Sequence, residues 1–170
     1  GGFIPSGFLL PRIDDPLRVI NLSSTWQIPA ILLSALVCGP SSSLIAVVAY
    51  LTIGLLFIPI FHGGGSIGYL LTPDFGYLFG FIPSVWFTGR YIQQLRSTKL
   101  LNMTLITIYG LAIIHISGLL NLFIGTLMQR WADNLVDLII TYTVNPLPSQ
   151  LIICPAIVII AIALRKILFI

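Results

Sequence analysis

Apolar residues in this chain run together instead of alternating with polar ones. Stretches at roughly Leu22–Cys38, Ser41–Ile58, Leu101–Leu127 and Gln150–Leu168 are nearly free of charge, and Phe75–Phe87 continues into a more polar extension that reaches Leu95. A helix that crosses a bilayer needs about 20 mostly apolar residues, because each adds about 1.5 Å and the hydrocarbon core is about 30 Å thick. The pattern therefore predicts an all-α, polytopic transmembrane helical bundle with five spans in view. Continuous apolar runs argue against an outer-membrane-type barrel, whose strands alternate.

The punctuation fits these spans. Gly39-Pro40 ends the first predicted helix, and Ser41, Ser42 and Ser43 can cap the next. Pro59 closes the second and Pro73 precedes the third, where Pro83 is positioned to kink it; Pro146 and Pro148 precede the last. One segment follows another rule. From Leu127 to Tyr142, Leu127, Trp131, Leu135, Leu138 and Tyr142 recur at helical steps, with Arg130, Asp133, Asn134 and Asp137 on another face. That spacing predicts an amphipathic helix lying at the membrane interface, or on the lip of the bundle.

Composition and charge sharpen the picture. The 170 residues are 57% hydrophobic and 8% charged, with mean hydropathy +1.05, whereas soluble domains carry about 25% charged residues. A net charge of +3 is spread along the chain with no basic tract, so nothing suggests nucleic acid. Cys38 and Cys154 lie in apolar runs and form no CxxC pair, which reads as packing. Basic residues mark the cytoplasmic side of membrane proteins. Arg90, Arg96 and Lys99 after the third span, and Arg165 and Lys166 at the end, are separated by two passes and can share that side. The C-terminus is then cytoplasmic, and Asp133, Asp137 and the loop from Phe61 to Asp74 face outward. The first residue described by this sequence would also be outside, which is what a six-helix protein leaves if its first helix precedes Gly1. The whole chain reads as a single transmembrane domain.

The most unusual stretch is Phe61-His62-Gly63-Gly64-Gly65-Ser66-Ile67-Gly68-Tyr69, followed by Leu70–Tyr77. A glycine cluster gives up packing surface and is useful where backbone must turn sharply or approach another group closely. Irregular backbone at membrane depth persists where it is buried in protein or lines a cavity. An ordinary outer loop and a re-entrant pocket wall, with Tyr69 and Tyr77 presenting aromatic faces and hydroxyls, both fit.

The run Gly63–Gly65, the Tyr69-Leu70-Leu71 step and Pro73-Asp74-Phe75-Gly76-Tyr77-Leu78-Phe79-Gly80-Phe81 resemble the central signature of the BioY family, the biotin-binding S components of energy-coupling factor transporters. Gln27, ahead of Gly39-Pro40, and Leu147-Pro148-Ser149-Gln150 with Arg165-Lys166 extend the likeness over most of the chain from about Ser24. Phe75–Leu78, Ile114-His115 and Leu147–Gln150 are similar to the cyanobacterial type. The resemblance implies a six-helix fold and a substrate-binding subunit for biotin uptake that binds its ligand from the extracytoplasmic side. It implies a ligand site drawn from Gln27, Gly64, Gly65, Tyr69, Tyr77, His115 and Gln150. It also implies partners: a membrane coupling subunit and two ATPases, within the lipid bilayer of a bacterial plasma membrane or a photosynthetic (thylakoid or plastid) membrane. Several family members hold biotin's polar ends with an Asn in the loop, an Arg after the Gly-Tyr pair, and an Asp and a Lys from the last helix. At those positions this chain has Gly64, Leu78, Gln150 and Ile153. Gln150 can still donate and accept toward a ureido-like group.

Other readings stay open beside this one. His115 in an apolar run is either a ligand group or a neutral histidine bonded to a neighbouring helix. Asp74 reads as a helix cap or a ligand contact. No enzyme is expected: Ser66 lacks the Gly-x-Ser-Gly setting, there is no His-Glu-x-x-His, and the chain has no catalytic or metal motif. No phosphate-binding loop for ATP is present, and the halves show no inverted repeat of a secondary transporter. The remaining alternative is a BioY-like accessory or scaffolding subunit among other integral membrane subunits, packed through small-residue surfaces such as Ala30–Ala35 and Gly110–Ala112.

Overall fold

The computed structural model describes residues 2–5, 19–22, 25–56, 58, 60–61, 67–95 and 99–168. Strands β1 (Gly2–Pro5) and β2 (Val19–Leu22) pair antiparallel, with Gly2 opposite Leu22 and Pro5 opposite Val19. This short ribbon precedes a body whose described elements are helical, as the apolar runs predict. Hydropathy alone assigned Leu22 to a helix, yet Val19 and Ile20 are β-branched and suit an extended ladder. Among the described residues the elements that follow are helical: α1 (Gln27–Leu56), a 3₁₀ turn (Ile67–Leu71), α2 (Phe75–Phe79), α3 (Phe81–Gln94), α4 (Leu100–Leu127), α5 (Leu135–Ile139), a π turn (Ile140–Val144) and α6 (Leu147–Ile167). Among the described residues, Gln27–Leu56, Leu100–Leu127 and Leu135–Ile167 are helical stretches long and apolar enough to cross a membrane.

The first of these is not one rod. Gly39 has φ 76° and ψ −179°, and Pro40 follows it, so no helical hydrogen bonding can pass straight through. The break sits against α3, where Gly89 has no room for a side chain because Pro40 N and Cα would lie 2.6 and 2.7 Å from its Cβ. Further along, Tyr50 packs on Phe61, Phe61 packs on Tyr69, and the Tyr69 hydroxyl bonds Asp74 just ahead of α2. A continuous helix would carry Tyr50 away from Asp74, so residues 40–56 must run back beside residues 27–38. The hairpin expected at Gly39-Pro40 is therefore present. Ser43 does not cap the second limb as expected; its hydroxyl donates back one turn to the Gly39 carbonyl at 2.5 Å.

The expected third span is two pieces joined at Gly80, where Ser117 and the Ile114 backbone press too closely for a Cβ. Pro83 falls in the first turn of α3 and cannot donate to the Phe79 carbonyl that ends α2, so the break at Gly80 lies within one turn of it. α4 runs antiparallel to α3: Ser84 donates to the Gly110 carbonyl at 2.8 Å, and Ile114 lies opposite Gly80. α6 returns antiparallel to α4, pairing Gln150 with His115 at one end and packing Val158 and Ala161 near Met103 at the other. The two basic clusters consequently share the end that holds Leu36, Ile92 and Met103. Large apolar side chains such as Ile45, Leu101, Phe123 and Ile152 face outward, as a lipid solvent requires. Of the small-residue stretches Ala30–Ala35 and Gly110–Ala112, Ala35 and Gly110 are buried inside this chain, while Ala30 and Ala112 are exposed.

The predicted amphipathic helix over Leu127–Tyr142 does not form as one element. α4 ends at Leu127, Gln129 adopts φ 53°, and helix resumes only at Leu135. Helical spacing of apolar residues reports which side faces the protein, and it cannot see a left-handed residue that ends the helix. Trp131 still turns inward as the spacing required, folding its ring over Gly125.

Candidate functional site

Opposite the basic end, α2, α4, α6 and the 135–144 segment converge on a buried group of polar side chains. α4 contributes His115 and Asn121 from a predominantly apolar helix, and α6 contributes Gln150 from its first turn, one turn after Pro146 and Pro148 set the helix start. His115 and Gln150 are each 5% exposed, and His115 Nε2 lies 2.7 Å from Gln150 Oε1. The Tyr77 ring stands edge-on to the imidazole, with centroids 5.7 Å apart and planes at 81°. Its hydroxyl shares a 2.6 Å hydrogen bond with the Thr143 hydroxyl, and Tyr142 lies beside the same ring. Gly118, one turn after His115 on α4, provides the seat for the Tyr77 ring; a Cβ there would occupy the ring's own position.

A second polar group adjoins the first. Tyr69 donates to Asp74 Oδ2 at 3.2 Å, and Tyr142 also interacts with Asp74. Asp74 does not cap α2 through its side chain; the half-buried carboxylate takes phenol hydroxyls, which compete well with backbone N–H groups for an anion. Asn121 fixes the turn below by donating to the Pro73 carbonyl at 3.1 Å, where Gly76 leaves space for it. Trp131 Nε1 donates to the Leu71 carbonyl at 3.3 Å and anchors the outer segment over the 3₁₀ turn.

Of the residues singled out from sequence, Tyr77, His115 and Gln150 come together directly, and Tyr69 joins them through Asp74 and Tyr142. Gln27 opens α1 half-buried, and among the described residues no hydrogen bond ties it to this group. Gly64 and Gly65 lie outside the described residues. Leu78 is core at 4% exposure, and Ile153 is partly buried on α6. Sequence reading missed Asn121, Tyr142 and Thr143 as members. Asn121 was discoverable, since a polar side chain within an apolar span requires a partner. Thr143 carried no signal, because only the return of the chain after α5 brings it to Tyr77. Among the described residues no group of histidine, cysteine and acidic side chains is arranged to hold a metal.

Chemically, the arrangement offers hydroxyl, amide and imidazole donors and acceptors beside aromatic faces, which suits a small, partly polar ring compound. Among the described residues His115 is hydrogen-bonded to the Gln150 amide and to no hydroxyl or thiol.

Comparisons with known proteins bear on this arrangement. The sequence pattern of the BioY family matches residues 9–169. A probable biotin transporter BioY from Lysinibacillus sphaericus is 33% identical over 103 residues, covering 61% of this chain and 52% of that protein. A second probable biotin transporter BioY, from Pyrococcus horikoshii, is 30% identical over 95 residues, 55% of this chain and 54% of that protein. The aligned part thus spans about half the length of these two relatives. An uncharacterized 21.2 kDa protein in a psbX-ycf33 intergenic region of Cyanophora paradoxa is 28% identical over 165 residues, covering 95% of this chain and 86% of that one. In fold, the chain is similar to the crystal structure of the S-component for biotin from an ECF-type ABC transporter, with TM-score 0.70 and 22% identity. That likeness covers 91% of this chain and 79% of the other.

Proposed function

This chain belongs to the BioY family, and from that premise we propose that it is the substrate-binding membrane subunit of a biotin uptake system. It takes the vitamin from the extracytoplasmic side and has no ATPase or other enzymatic activity of its own. The observation that carries this reading is the buried His115–Gln150 pair beside Tyr77, a polar cluster at the end of the bundle away from the basic residues. The shared basic end, with Arg90, Lys99, Arg165 and Lys166, supports a cytoplasmic C-terminus. It also supports counting the two limbs of α1, the α2–α3 pair, α4 and α6 as five passes of a six-helix fold. Transport then requires a membrane coupling subunit and two ATPases, which supply the energy that a binding bundle lacks. The relative encoded beside psbX and ycf33 supports a photosynthetic membrane, and the biotin transporter relatives support a bacterial plasma membrane, as the setting.

A second reading has one observation in its favour. Leu78 and Ile153 put apolar side chains where family members place an Arg and a Lys, so a carboxylate tail loses two cationic partners. A charge-assisted hydrogen bond contributes about 1.5–3 kcal/mol. A bundle that has lost them could serve as an accessory or scaffolding subunit of a larger membrane complex.

Calorimetric titration of biotin into the purified, detergent-solubilised chain separates the two. Saturable binding that weakens in Tyr77→Ala and Gln150→Ala supports the substrate-binding subunit. A well-folded sample that gives no binding heat leaves the scaffolding role as the better account.

A further inference from the structure

His115 holds the clue to how a ligand would be read in this site. Its Nε2 lies 2.7 Å from Oε1 of Gln150. An amide oxygen only accepts hydrogen bonds, so Nε2 is the nitrogen that carries the proton. In a neutral imidazole the other nitrogen is then a bare acceptor. That atom, Nδ1, is buried and has no hydrogen-bond partner among the described residues. The nearby Tyr77 hydroxyl pairs with the Thr143 hydroxyl at 2.6 Å and makes no hydrogen bond to Nδ1.

Buried acceptors are nearly always paired, and the exceptions concentrate where a ligand or water completes the set. The environment here is selective. The ring is 5% exposed and the Tyr77 ring stands edge-on to it. Gln150 fixes the tautomer from the opposite side, in the way that the partner on one ring nitrogen dictates the role of the other. An unpaired acceptor beside an aromatic face calls for a flat ligand that brings its own N–H.

We propose that His115 Nδ1 is the specificity-determining acceptor for a ureido N–H of the ligand, and that Gln150 is a positioning residue that keeps Nδ1 unprotonated. The inference rests on the biotin reading above and deepens it. It assigns Gln150 an indirect part: the carbonyl oxygen is occupied by His115, so recognition passes to the imidazole.

The test compares biotin with its isosteric cyclic carbonate analogue, in which both ureido N–H groups are replaced by ring oxygens. Binding of each is measured calorimetrically on the full chain and on two variants. His115→Gln places an amide near the former Nε2 and can keep the contact with Gln150 while removing the Nδ1 acceptor. His115→Asn does the reverse, keeping an acceptor near Nδ1 and losing the reach to Gln150. The wild-type chain should prefer biotin over the carbonate by about tenfold, the value of one hydrogen bond. His115→Gln should lose most of that preference, and His115→Asn should retain part of it. An undiminished preference in His115→Gln overturns the inference and leaves the biotin reading intact. A wild-type chain that binds neither compound overturns both.

A measurement without substitution guards against variants that fold poorly. With isotope-labelled histidine in the wild-type chain, the His115 Nδ1 nitrogen resonance should shift upfield on adding biotin and stay in place with the carbonate. A resonance that ignores biotin while calorimetry records binding overturns the inference.

Discussion

At the basic end of the bundle, Gly39 and Pro40 rest directly on Gly89, so backbone closes on backbone with apolar packing of Leu36, Ile92 and Met103 around it. At the polar end, Gly76, Gly118 and Gly125 are equally bare, yet what fills their space is a side chain: Asn121, the Tyr77 ring and the Trp131 ring. The same residue type thus does two jobs. One end uses glycine to bring two segments into contact that no side chain could separate without moving them. The other uses it to seat chemistry-bearing groups at fixed positions. The first kind of contact is intolerant, because a backbone neighbour cannot swing away. The second yields by degrees, and what it loses first is placement of the functional groups.

Three substitutions would break or sharpen that contrast. Gly89→Ala should have the largest effect. Its Cβ would meet Pro40 backbone atoms 2.6 and 2.7 Å away, and overpacking of this sort costs about 1–3 kcal/mol, toward the upper limit where backbone must move. Thermal unfolding in detergent should show the loss. Biotin affinity of the folded fraction should be little changed, and a large affinity loss would contradict the division of labour. Gly118→Ala should cost less in stability, about 1–2 kcal/mol within the same range, because the Tyr77 ring can tilt. It should reduce biotin affinity more than Gly89→Ala does, since tilting pulls the Tyr77 hydroxyl from Thr143 and the ring from His115. Equal affinity in the two variants would erase the distinction. Trp131→Phe should be the mildest. It removes one hydrogen bond to the Leu71 carbonyl, worth about 0.5–1.5 kcal/mol, and keeps an aromatic ring over Gly125. Its expected signature is faster amide exchange in the 67–71 turn with a melting point lowered by only about 1–4 °C.

The basic end was readable from sequence and the polar end only in outline. Gly39-Pro40 is a local signal: a residue free to adopt positive φ followed by one that cannot continue a helix, and the break occurs there. The apolar runs likewise reported α4 and α6 to within a few residues, since lipid imposes the same demand on every turn. The polar end depends on contacts between distant parts of the chain. Tyr77, His115 and Gln150 could be chosen singly, as polar groups in apolar surroundings and by likeness to a family signature. That His115 would bond Gln150 across 35 positions could not be read from either one. Asp74 looked like a cap because it precedes a helix, and only the fold brings Tyr69 and Tyr142 close enough to claim it. The segment after Leu127 looked like one amphipathic helix because its apolar spacing is real, while the φ of Gln129 that interrupts it has no counterpart in that spacing.

The broken α1 has a consequence for the bilayer itself. Unbroken, its 30 residues would extend about 45 Å at 1.5 Å each. Folded at Gly39, its first limb of 12 residues reaches only about 18 Å, against a hydrocarbon thickness of about 30 Å. A short limb of this kind creates hydrophobic mismatch, and lipid answers by thinning locally at a cost of fractions of a kcal/mol per Å. Trp26, 60% exposed just ahead of Gln27, is the type of side chain that settles at the headgroup level. Headgroups and water would therefore dip toward Gln27 on that flank, making the membrane surface concave beside the polar end and shortening a solute's path from bulk water to the bundle.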